Sequence, residues 1–176
     1  MHIRVQLLKE HSRANAEHIA RYVGDDAKRF AELMHCMLHD DTYRVCQRAS
    51  YSVGLACEAH PHLAAPYLKD LLAVLDQPVH EAVQRNSLRI MQYCELPAWL
   101  HGAITQAAFA RVADPSRSIA QRAFAIRVAE RMVEAHPELG PELRMLLENV
   151  LREHPTPAVR SRATKVLQAL PGRSSR

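Results

Sequence analysis

The sequence predicts an all-α protein built from repeated helical hairpins, and three observations carry that prediction. Alanine and leucine dominate, whereas aromatic residues make up 5% and glycine occurs only 5 times in 176 residues. This composition disfavours β-sandwiches and barrels, which need β-branched and aromatic strands joined by glycine turns. Prolines and capping residues divide the chain into helix-length segments. A dipeptide recurs at a nearly constant period, which is typical of helical repeats.

Local signals mark where the helices begin and end. Asp25, Asp114 and Thr156 are capping residues, and the last two precede a proline, which suits the first helical turn. The His-Pro steps and Leu96-Pro97 indicate helix ends, because proline cannot continue a helix. The predicted helices are 2–10, 12–23, 26–39, 42–59, 63–76, 80–95, 98–113, 117–135, 141–153 and 157–170. Their short connections predict that consecutive helices are antiparallel.

The recurring dipeptide lies near the start of every second predicted helix. Its copies are Gln47-Arg48, Gln84-Arg85, Gln121-Arg122, the variant Ser161-Arg162 and a degenerate Arg13-Ala14. Successive arginines are 35 to 40 residues apart. At 100° per residue, small and apolar side chains fall roughly opposite the arginine in the helices that carry Arg48 and Arg85. The pattern therefore predicts that the arginines point away from the core.

The last copy resembles a known repeat family. Residues 157–167 are similar to the P-x-V-R-x-x-A-x-x-x-L pattern that opens the second helix of a HEAT unit, with the family arginine at Arg160. Earlier copies carry Cys46, Val83 and Ala120 at that position. The resemblance to HEAT/armadillo proteins covers about residues 25–170. It implies a right-handed α-solenoid of about four to five hairpins. The chain length and the ten predicted helices indicate one domain over 1–170, and we expect a flexible basic tail at 171–176.

In that family the second helices line the concave face. The resemblance therefore implies a column of arginines along this face: Arg48, Arg85, Arg122 and Arg162. Two interpretations stay open. The arginines pair with carboxylates of neighbouring repeats and fix the stacking angle, or they face a ligand, in which case the guanidinium fork selects an anionic partner.

The basic charge is concentrated at one end of the sequence. The formal net charge is +4, yet residues 156–176 hold five basic side chains and no acid, so the remainder is nearly neutral. Arg160 and Lys165 form a candidate basic C-terminal patch. Because the rest of the chain is nearly neutral, protein binding is favoured over an extended nucleic-acid interface, and attraction of anions is confined to the C-terminal end.

These features predict a non-enzymatic scaffold or adaptor that binds a protein or peptide with an acidic surface. The alternative is nucleic-acid binding through the arginine column and the C-terminal patch. No cofactor or metal is expected: His35 and His39 are one turn apart, but no third ligand is specified. An enzyme, such as a HEAT-like DNA glycosylase, is a distant alternative, because no catalytic constellation is recognisable.

The sequence also carries expectations about compartment. No apolar run approaches the roughly 18 residues of a membrane helix, and the N-terminus lacks a signal-peptide pattern. The four cysteines form no CxxC pair and lie in apolar helical stretches. We therefore expect a cytoplasmic protein with reduced cysteines and no membrane partner.

Overall fold

The computed structural model describes residues 1–170, which fold into ten α-helices without β-strands. These helices are divided between two compact units. Unit 1 (Met1–Leu96) contains α1 (Ile3–Lys9), α2 (Arg13–Val23), α3 (Ala27–Leu38), α4 (Tyr43–Ala59), α5 (Leu68–Ala73) and α6 (Glu81–Ile90). Unit 2, from Pro97 onward, contains α7 (His101–Ala113), α8 (Ile119–Ala135), α9 (Gly140–Arg152) and α10 (Pro157–Ala169). The prediction of one domain over 1–170 stays a prediction, and the expected tail at 171–176 lies outside the described residues.

Side-chain capping bonds mark the starts of α2, α3, α6 and α8. Ser12 accepts a hydrogen bond from the Asn15 amide and begins α2, and Asp26 rather than Asp25 caps α3. Asp114 does not cap α8: its carboxylate holds the preceding turn through Ser116 and Arg117, and Ser118 is the cap. Helix α2 ends at Gly24, whose φ of 51° suits glycine.

Two predicted helices differ from the structure. Residues 61–76 begin as a 3-10 helix (Pro61–Tyr67), continue as α5 and end in 3-10 geometry at Val74–Asp76. Pro66 lies inside this segment and has no N–H to donate to a helical ladder. Helix α6 ends at Ile90 instead of residue 95, because Gln92 and Tyr93 donate to carbonyls only three residues back.

Each unit buries a continuous apolar core between paired helices. In unit 1, α4 packs against α2, α3 and α6. Its core stripe includes Val45, Ala49, Val53 and Cys57. In unit 2, α8 packs against α7, α9 and α10. Within residues 1–170 no helix is long and apolar enough to cross a bilayer.

Candidate functional site

The second helices of the three hairpins in unit 1 form one surface, which we call the second-helix face. It consists of α2, α4 and α6, and α4 contacts both of the others. Residues three, four or seven apart lie on one side of a helix. The solvent-reaching stripe of α4 therefore contains five side chains: Arg44, Arg48, Tyr51, Leu55 and Glu58. Helix α6 contributes Arg85 and Arg89 beside it.

Arg48 is half-buried and holds a neighbouring helix. Its Nη1 donates to the carbonyl of Leu7, at 2.7 Å, near the C-terminal end of α1. A cation at a helix C-terminus is favourable because the last carbonyls lack partners and carry the negative end of the helix dipole. Arg48 makes no ion pair within the described chain. Its guanidinium is therefore bonded to a neutral group and its charge is not compensated by a carboxylate.

Arg85 is half-buried on α6, and its side chain makes no hydrogen bond or ion pair within residues 1–170. The positive charge of Arg85 acts on His80, the capping residue of the same helix. Burial lowers the pKa of His80, Arg85 lowers it further, and Glu81 opposes both. The exposed Arg44, one turn before Arg48, likewise has no partner in the described part of the chain. Three arginines of the second-helix face thus lack a carboxylate.

Arg89 shows the opposite behaviour. Its Nη2 lies 2.6 Å from Glu58 Oε2, and its guanidinium lies 5.4 Å from the centre of the Tyr51 ring. Burial raises the pKa of Glu58, but hydrogen bonds from Arg89 and Tyr93 outweigh this and lower it. Sequence reasoning missed this network. The spacing within each helix contained a signal for it. Glu58 lies on the same side of α4 as Arg48, and Arg89 lies on the same side of α6 as Arg85.

Two cavities lie along the contact between α2 and α4. The first is about 220 Å³ and is lined by Arg13, Arg48 and Tyr51 together with the α1–α2 connection. The second is about 350 Å³ and is lined by five small or aliphatic residues, Ala20, Gly24, Leu55, Ala56 and Ala59, and by Glu17, Arg21 and His60. The second-helix face therefore has a recess with one cationic and one apolar end.

The structure places Arg122 differently from Arg48 and Arg85. Arg122 is 7% exposed, and its Nε and Nη2 donate to the carbonyl of Val112, at 3.2 and 3.0 Å, near the end of α7. A further contact of 3.8 Å joins Nη2 to Glu153 Oε2. Arg122 therefore lies inside unit 2 and does not extend an exposed arginine column. The residue before Arg85 has a related role: Gln84 Nε2 donates to the carbonyls of Leu75 and Gln77, both at 3.0 Å.

The candidate C-terminal patch lies on α10. Arg160 and Lys165 are exposed and Arg162 is half-buried. None of the three side chains makes a hydrogen bond or ion pair in the part of the chain that the structure describes. Helix α10 contains no acidic residue, so this patch is cationic without internal neutralisation.

The histidines and cysteines do not form a metal site among residues 1–170. The rings of His35 and His39 are 5.5 Å apart, and the neighbouring Asp40 is engaged by Arg4 at 2.6 Å. Cys36, Cys57 and Cys94 are buried and Cys46 is half-buried, all as free thiols. Burial raises the pKa of Cys57 to about 12, so this thiol stays protonated.

Comparison with known proteins decides the family. The HEAT repeat domain matches the chain over residues 3–170. The chain belongs to the HEAT repeat family. No curated protein and no solved structure matches it. Membership confirms the predicted all-α repeat fold, and HEAT repeats generally serve as scaffolds for protein interactions.

Proposed function

We propose that this HEAT repeat protein is a non-enzymatic adaptor that binds an acidic protein surface through the second-helix face of unit 1. The observation that carries the proposal is the set of arginines without carboxylates: Arg44, Arg48 and Arg85. Like charges held on neighbouring helices repel one another, and a partner carboxylate relieves that repulsion. Arginine also presents a planar donor fork that fits a carboxylate.

Aromatic side chains at this face support the same proposal. Tyr43 is 64% exposed at the start of α4 and contacts His80 in a tilted arrangement, with ring centres 4.2 Å apart. Tyr93 follows α6 and is also exposed. Tyrosine supplies a large contact area with few rotatable bonds, so it is enriched at protein interfaces.

The serines of the second helices support a binding role over catalysis. Ser50, Ser52 and Ser87 are buried, and each hydroxyl donates to a backbone carbonyl of its own helix. A nucleophilic serine needs an accessible hydroxyl beside a general base. As part of the proposal we place the protein in the cytoplasm, where free buried thiols persist.

The test compares captured partners across charge variants. The wild-type protein and the double variant Arg44→Glu/Arg85→Glu are used as affinity baits, with Arg152→Glu in unit 2 as the matched surface control. We expect the control to retain the wild-type partners and the double variant to lose those with acidic surfaces, while circular dichroism stays unchanged. Equal capture of these partners by a folded double variant contradicts the proposal.

A second candidate function is nucleic-acid binding by the C-terminal patch, favoured by the unpaired cations of α10. A duplex DNA probe in a gel-shift titration should then bind in about 50 mM salt and weaken steeply by about 200 mM. Replacement of Arg160 and Lys165 by Gln should reduce the salt dependence by roughly one unit of slope per lost phosphate contact. A flat titration at low salt rules this function out.

A further inference from the structure

The recess between α2 and α4 contains two cavities in addition to its charged side chains. Its first cavity touches Arg13 and Ala16 near the start of α2 together with Arg48 of α4. Its second cavity touches Gly24 at the end of α2 and Ala59 at the end of α4. The two helices therefore run in the same direction, and the cavities follow one another along a single groove.

The cationic end of the groove is held in place before any ligand arrives. Asn15 is buried beneath the first cavity, where its Nδ2 donates to the carbonyls of Gln6 and Glu10 and its Oδ1 accepts from Gln6 Nε2. Arg48 is fixed by its bond to Leu7. A rigid donor loses little conformational freedom on binding, so more of its interaction energy becomes affinity.

The acidic residues of the groove are already engaged. Glu10 accepts a hydrogen bond from the Ser12 hydroxyl, and Glu17 accepts one from Arg13 Nε at 2.7 Å. Neither pairs with Arg48, whose guanidinium donates only to a neutral carbonyl within residues 1–170. Glu10 keeps its charge because its partner is a neutral hydroxyl, so the feature of the first cavity that suits a carboxylate from outside is the Arg48 guanidinium, which has no carboxylate partner.

The other end of the groove is complementary to an apolar side chain. Most of its lining is small or aliphatic, namely Ala20, Gly24, Leu55, Ala56 and Ala59, and the polar lining residues are Glu17, Arg21 and His60. Arg48 and Leu55 are seven residues apart on α4, which corresponds to about 10 Å at 1.5 Å per residue. A peptide in the polyproline II conformation advances about 3.1 Å per residue with three residues per turn, so side chains three positions apart lie on one side of it, about 9 Å apart.

We propose that this groove binds a polyproline II segment of another protein in which an Asp or Glu lies three positions from a large apolar residue. The carboxylate pairs with Arg48 and the apolar side chain fills the cavity beside Leu55. This inference rests on the proposed function and specifies its partner. It commits to a protein segment because the groove requires both an anion and an apolar group.

The test uses fluorescein-labelled Gly-Ser host peptides that carry one Glu and one Leu at separations from one to six residues, in both orders. Fluorescence anisotropy with the full chain should show the tightest binding at a separation of three. Replacing the peptide Glu by Gln should weaken binding about tenfold, the effect of losing one charge-assisted hydrogen bond. Replacing the peptide Leu by Ala should weaken it by a similar factor.

Protein variants assign each anchor. Arg48→Gln keeps a donor for Leu7 and should abolish the preference for Glu over Gln, whereas Leu55→Ala should reduce only the preference for Leu over Ala. Arg152→Gln is the matched control and should behave as wild type. Thermal melts verify that every variant folds.

Three results overturn the inference. In the first, binding does not depend on the separation between the peptide Glu and Leu but is lost in Arg44→Glu/Arg85→Glu. This result contradicts the two-anchor groove and still supports the adaptor function. Retention of the Glu preference by folded Arg48→Gln also sinks it. If no peptide binds and the chain elutes as a dimer that Arg48→Gln and Leu55→Ala dissociate, the groove is occupied by a second copy instead.

Discussion

The repeated Gln-Arg dipeptide has opposite environments in the two units. In unit 1, Arg48 and Arg85 are on the solvent-reaching sides of α4 and α6, and the residues three positions earlier, Val45 and Ala82, are buried. In unit 2, Arg122 is buried, and Ile119 three positions earlier is 49% exposed. The core side of α8 is therefore rotated about its axis relative to the dipeptide. A sequence repeat at constant spacing does not guarantee a constant orientation.

The rotation changes what the arginine does. Buried in unit 2, Arg122 donates two hydrogen bonds to one carbonyl at the end of α7. On the second-helix face, Arg85 has no such task within the described residues and keeps its donors for solvent or a partner. Arg122 thus serves stability, Arg48 serves it in part through the Leu7 carbonyl, and Arg85 is available for binding.

The largest expected effect of this difference is on stability. Arg122→Ala removes both donors from the Val112 carbonyl and leaves a cavity, so we expect a loss of roughly 2–4 kcal/mol in the free energy of unfolding. Arg85→Ala removes a side chain that makes no hydrogen bond in the described chain. It should change the free energy of unfolding by less than about 0.5 kcal/mol. Urea denaturation followed by circular dichroism measures both. Equal effects would show that the two arginines have equivalent roles.

The helix pattern could be predicted from local chemistry, and the orientation of α8 could not be read from the dipeptide alone. Prolines and capping residues act within a few positions, so helices such as 12–23 and 157–170 agree with α2 and α10 to within a residue. The position of Arg122 depends on which side of α8 meets its neighbours. A helical wheel of α8 itself contained the signal, because Ile126, Ala129 and Val133 lie on the same side as Arg122 and are buried.

The glutamine of the dipeptide provides a second comparison, within unit 1. Gln84 donates to two carbonyls that end the preceding helix, whereas the half-buried Gln47 makes no side-chain hydrogen bond within residues 1–170. Gln84→Ala should therefore lower the free energy of unfolding by about 1–2 kcal/mol, and Gln47→Ala should leave it nearly unchanged. Urea titrations of the two variants and the wild-type protein measure both changes in the free energy of unfolding. A neutral Gln84→Ala would mean that water replaces the amide at those carbonyls.

Two helical glycines extend the comparison to packing. A Cβ on Gly54 would lie 3.3 Å from Asn86 Oδ1, and the Asn86 side chain is held by bonds to Ser50 and the Ala82 carbonyl. A Cβ on Gly102 in unit 2 would meet nothing within 4 Å among the atoms that the structure describes. We expect Gly54→Ala to lower the melting temperature and Gly102→Ala to stabilise by about 0.5–1 kcal/mol through helix propensity. Stabilisation by both substitutions would show that α4 and α6 can separate slightly.

The smallest expected effect concerns acid stability. Hydrogen bonding by Arg4 lowers the pKa of Asp40 in unit 1, whereas the pKa of Asp114 in unit 2 is lowered first by Ser116 and only then by Arg117. A carboxyl with a lowered folded-state pKa contributes stability above its unfolded pKa, and that contribution disappears as the pH falls through the folded value. Arg4→Ala returns the pKa of Asp40 toward its ordinary range, so the urea midpoint should fall less between about pH 5 and about pH 3. Arg117→Ala should leave that slope closer to wild type, because the Ser116 hydrogen bonds remain. If both variants flatten the slope equally, the arginine charge governs both carboxyls, and the hydroxyl contact in unit 2 contributes little.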